Sequence, residues 1–72
     1  MTAAAGMTIP PEVAAEVRAL PEYREAHEQY VGDHPALSAD ERLAVRVRAV
    51  LRMRDLTVAA AERHLAATGG AL

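Results

Sequence analysis

Apolar residues recur at three- and four-residue steps along most of this chain, the spacing of a helix face. Ile9, Val13, Val17 and Leu20 form the first such stripe, and Glu12, Glu16 and Arg18 lie off it. Pro10 and Pro11 stand at its start, where a missing N–H costs nothing. Pro21 ends or sharply kinks this helix and can equally open a second. Over residues 21–31, Tyr23, Ala26, His27, Tyr30 and Val31 share one face, and Glu22, Arg24, Glu25, Glu28 and Gln29 take the other. Gly32 sits at the position after a helix end that favours glycine, and residues 33–37 read as a loop.

Ser38-Ala39-Asp40-Glu41 has the form of a capping box, with Ser at the N-cap and Glu three residues on. A third helix runs from there to about Leu56. Thr57 is placed to cap a fourth helix over residues 58–67, and the pattern favours a break or kink near residues 55–57. One continuous helix of about 30 residues is the alternative, since no Gly or Pro intervenes. Gly69 and Gly70 end the pattern. The sequence thus predicts an all-α fold of three or four short helices in a small bundle. Residues 1–8 read as a flexible tail, 9–68 as one helical domain and 69–72 as a disordered C-terminus.

With residues placed about 100° apart, the third helix carries two apolar stripes. Leu43, Val47, Val50 and Leu51 form one; Val45, Ala49, Met53 and Leu56 form the other, roughly opposite. Arg46 separates them on one side, and Arg48 and Arg52 on the other. A helix with two such stripes is contacted from both sides, by its own neighbours or by a second chain.

Composition strengthens the case for a second chain. Of the 72 residues, 37 are hydrophobic, but 17 of these are Ala, and there is no Phe or Trp. A core that thin, in a chain this short, barely offsets chain entropy. Absence of Cys rules out disulfides as the staple, which leaves oligomerisation as the device that completes the bundle. The sequence places the interface on Val45, Ala49, Met53 and Leu56, with Tyr23 and Tyr30 as anchors, because Tyr is enriched in interface hot spots.

Charge adds a rival. The net charge is −2, and all eight basic residues are Arg. Arg46, Arg48, Arg52 and Arg54 on one helix suggest a small antitoxin-like regulator that contacts nucleic acid. Against it, those four do not form one stripe and the rest of the chain is acidic. Pairing with Glu22, Glu25, Glu28 and Glu62 suits guanidinium equally well. The segment 56–65 resembles the opening helix of a helix-turn-helix, but the seven residues after it cannot supply a recognition helix.

Candidate chemistry is sparse. His27, His34 and His64 have neither an HxxxH nor a Glu-x-x-His spacing, so no metal or other cofactor is predicted. His27 reads as a half-buried residue between Tyr23 and Tyr30. The few hydroxyls lack a paired base, and no glycine-rich phosphate loop is present. No apolar run reaches the roughly 18 residues of a membrane span, and the N-terminus lacks a signal-peptide pattern, so a cytoplasmic location is expected. The reading is a non-enzymatic interaction module, a regulatory or accessory subunit acting as a homodimer or docked on a larger protein. An accessory subunit of an enzyme complex is a further form of it.

Overall fold

The computed structural model describes residues 9–69. Expectations for residues 1–8 and 70–72 lie outside the described residues. Among the described residues the chain is a small all-α bundle of three helices without strands: α1 (Pro11–Ala19), α2 (Pro21–Val31) and α3 (Ala39–Ala67).

Proline sets the first two helices. Pro10 has extended backbone and Pro11 opens α1. Pro21 keeps the residue before it out of the helical region, and Leu20 is accordingly extended, with φ −71° and ψ 132°. Leu20 closes α1 through its N–H to the Val17 carbonyl and opens α2 by accepting from Tyr23 and Arg24. One residue therefore separates two helices.

Gly32 closes α2, but not with a left-handed backbone; its φ is −66°. The left-handed residue is His34, with φ 48°. Its Nε2 lies 2.8 Å from the Gln29 carbonyl oxygen, so the ring N–H donates to a helix-end carbonyl that has no partner within the helix. A side chain at 32 would be crowded. A Cβ there would meet the Glu28 carbonyl oxygen at 3.0 Å and His34 Nε2 at 3.1 Å.

The capping box forms as the sequence predicts. Glu41 N–H donates to Ser38 Oγ at 3.2 Å, and Ser38 N–H donates to Glu41 Oε1 at 2.8 Å. Arg42 adds a bond from its guanidinium to the Leu37 carbonyl at 2.7 Å. At the far end Gly69 takes φ 72°, the left-handed conformation typical just past a helix end.

The expected break near residues 55–57 is corrected. α3 runs unbroken for 29 residues, about 43 Å at the helical rise. Thr57 does not cap a new helix. Its hydroxyl donates back to the Met53 carbonyl at 2.8 Å, the bond a threonine makes inside a helix.

α3 spans the molecule, whose extents are 47 × 31 × 15 Å. α1 and α2 both pack against it. α1 lies at its C-terminal half, where Val13, Val17 and Ala60 form the closed core with Tyr23, Leu56 and Ala61 packed around them. α2 lies at its N-terminal half, with Ala26 and Ala49 buried where the helices meet.

Candidate functional site

The two stripes of α3 have opposite fates. Val45, Ala49, Met53 and Leu56, expected to face outward, lie on the inner side against α1 and α2. Ala49 is 5% exposed and the other three are half-buried. The outward stripe is the other one: Leu43 is 60% exposed, and Val47, Val50 and Leu51 are each 44–48% exposed. The chain thus covers the four residues on which the sequence places the interface with its own α1 and α2, and leaves the second stripe exposed.

Small residues decide the orientation. The inner stripe continues at helical spacing through Ala60, and Ala49 and Ala60 let the α1–α2 layer come close. The outer stripe is interrupted by Arg54, which sits in line with Val47 and Val50 and is exposed. A guanidinium under α1 or α2 would have to be desolvated. The sequence held this signal in Arg54, which falls on the outer stripe, and in the longer run of the inner one.

The tyrosines separate. Tyr23 packs on the Val13–Val17–Ala60 core. Tyr30, near the C-terminal end of α2, is 42% exposed and borders a shallow groove with Leu43, Arg46, Val47, Val50 and Leu51. The lining of this groove is mostly apolar. His27 does not pack between the tyrosines. It is exposed, because the inner face of α2 is turned to α3 at Ala26.

The four arginines of the nucleic-acid reading go to three places. Arg46 borders the apolar groove. Arg48 and Arg52 line a cleft with Glu22, Glu25 and Gln29 across from them. Arg54 lies 3.4 Å from Asp55, both largely exposed. The structure therefore does not gather them into one basic surface. Glu22 and Glu25 share a cleft with arginines as the sequence suggests, although the ion pairs that form are elsewhere. Arg63 reaches Glu16 at 2.7 Å, and His64 Nε2 lies 3.8 Å from Glu12. Both join α1 to the end of α3. The first is exposed and contributes at most about 1 kcal/mol.

Glu41 is the group with a displaced acidity. The backbone N–H of Ser38, and then its hydroxyl, hold the carboxyl below its ordinary range. This is helix-capping chemistry and the group is fully exposed. Among the described residues no three of His, Cys, Asp and Glu converge in a way that could hold a metal ion. No helix there is long and apolar enough to cross a membrane.

Comparison with family models, curated proteins and solved structures finds no match to this chain.

Proposed function

We propose that this chain is a non-enzymatic helical interaction module, a small regulatory or accessory subunit that works by presenting the outer stripe of α3 to another protein chain. The observation that carries the reading is the uncovered stripe itself. Leu43, Val47, Val50 and Leu51 are larger than the alanines that close the inner side, yet each is left near half exposed or more. Contiguous exposed apolar surface of this kind marks interaction sites more often than isolated exposed residues do. Tyr30 and Arg46 at its border are residue types that interfaces favour.

The thin core gives the same reading an energetic basis. Val13 is the one large side chain that is fully buried among the described residues. A second layer over the outer stripe would cover Leu43, Val47, Val50 and Leu51, which one chain leaves exposed. The bundle is half of a packing arrangement that a partner completes.

Charge reversal on the stripe tests this. A tagged Leu51→Glu chain, compared with wild type in the producing cells by chemical cross-linking and mass spectrometry, is expected to lose its stable protein contacts at unchanged helicity. Contacts that survive the substitution undiminished would overturn the reading.

A further inference from the structure

We propose that the occupant of the outer stripe is a second copy of this chain, packed antiparallel along α3 across a two-fold axis at Val47. The proposal rests on the reading above that the stripe is a docking face, and it names the partner.

Charge and residue order along α3 support it. The stripe comprises Asp40, Leu43, Val47, Val50, Leu51 and Arg54, all exposed. In an antiparallel pair centred on Val47, residue positions equally far before and after 47 come level across the axis. Leu43 then meets Leu51 of the second copy, and Val47 meets itself. Val50 meets Ala44, a small residue opposite a larger one. Asp40 comes level with Arg54 of the second copy, and the same pair repeats at the other end. The interruption that kept this stripe out of the monomer's interior thus acquires an acidic partner on the other copy besides Asp55 of its own chain.

A parallel pair in register does the reverse. It sets Arg54 beside Arg54 and Asp40 beside Asp40, and like charges directly opposed are destabilising. By the same rule Arg46 comes level with Arg48 of the second copy and Arg42 with Arg52, so the favourable charge contribution is confined to the Asp40–Arg54 pairs at the two ends of the stripe. A two-fold arrangement of this kind uses the same patch on both copies, so one stripe suffices.

Asp40 and Arg54 are 14 positions apart on one straight helix, about 21 Å. That is roughly twice the Debye length at about 0.1 M salt, so at that ionic strength they do not interact within one chain, and any energetic coupling between them reports on contact between copies. The test is sedimentation equilibrium on the full chain with Asp40→Arg, Arg54→Asp and the double reversal. Each single reversal is expected to weaken self-association about tenfold, because each dimer holds two such pairs. The double reversal is expected to recover to within about threefold of wild type. Both positions are exposed, and helicity by circular dichroism checks that each variant folds.

Cysteine placement reads the register independently, since the chain has no Cys of its own. Val47→Cys is expected to form a disulfide-linked dimer on mild oxidation. Leu43→Cys and Leu51→Cys are each expected to stay unlinked alone and to link when mixed. A double reversal as weak as either single one would overturn the pairing, as would Leu43→Cys linking to itself as readily as Val47→Cys does. A wild-type chain that stays monomeric up to about 500 μM would overturn the second copy as occupant. It would leave the docking reading to its own test in cells, where the Leu51→Glu comparison does not depend on self-association.

Discussion

Val13→Ala and Val47→Ala remove the same atoms from opposite sides of this molecule, and the structure predicts different outcomes. Val13 is 1% exposed and Val47 is 48% exposed. Deleting two methyl groups from a buried site forfeits roughly 1.6 kcal/mol of transfer free energy. The gap left beside Val17 and Ala60 adds about 0.5–1 kcal/mol, depending on how far the helices settle. Alanine is the better helix former by roughly 0.5 kcal/mol, which offsets part of this. The net loss for Val13→Ala is about 1.5–2 kcal/mol. At Val47 about half of the transfer term is at stake and no closed cavity forms, so the helix-propensity gain leaves the net change near zero. A domain of this size has a total stability of only about 4–10 kcal/mol. The midpoint of thermal unfolding should therefore fall by about 10 °C for Val13→Ala and move by no more than about 3 °C for Val47→Ala. The assay is circular dichroism at 222 nm at low micromolar concentration, where association contributes least to the midpoint. Equal shifts for the two variants, or a larger one at Val47, would refute the assignment of inner and outer sides.

Further expectations concern the helix ends. Glu41 has a lowered pKa in the folded chain, so its contribution is present above the ordinary carboxylate value of 4.5 and is lost as pH falls through the lower folded value. Glu41→Gln keeps an acceptor for the Ser38 N–H but does not titrate. The difference in melting midpoint between wild type and this variant should therefore change below about pH 4.5 and stay flat above it; a difference independent of pH across that range would count against the capping-box assignment. Ser38→Ala should cost about 1 kcal/mol at neutral pH by chemical denaturation, from loss of the bond to the Glu41 N–H, and an unchanged midpoint would contradict it. Gly32→Ala should also destabilise, by about 1 kcal/mol, because its Cβ presses on the Glu28 carbonyl and the His34 ring. An unchanged or raised midpoint would contradict it.

Much of this fold was legible in the sequence because its determinants are local. Pro11, Pro21 and the Ser38–Glu41 box act within one turn, and each starts a helix where the pattern places it. The number of helices was legible only in part. Thr57 has the chemistry of a cap, but a cap forms only where the chain leaves the helix, and nothing at residues 55–57 makes it do so.

The two stripes on α3 were also legible, but their spacing alone does not say which faces inward; that signal lies in Arg54 on the outer stripe and the alanines of the inner one. Helical periodicity gives both the same spacing, and the usual preference of large side chains for the interior points to Leu43, Val47, Val50 and Leu51. The inner side goes instead to the stripe whose alanines allow a close approach and which no arginine crosses. Tyr30 lies beside the outer groove, and Tyr23 went to the core. That division depends on where Leu20 turns the chain relative to α3, which is tertiary information.

The most direct test of the central claim is the molar mass in solution of the wild-type and Leu51→Glu chains, by light scattering across a dilution series of about 5–500 μM. The wild-type mass should climb from the 7.7 kDa of one chain towards twice that value, and the Leu51→Glu chain should remain at one chain throughout. A substituted chain that associates as the wild type does would contradict the assignment of the outer α3 stripe as the docking face.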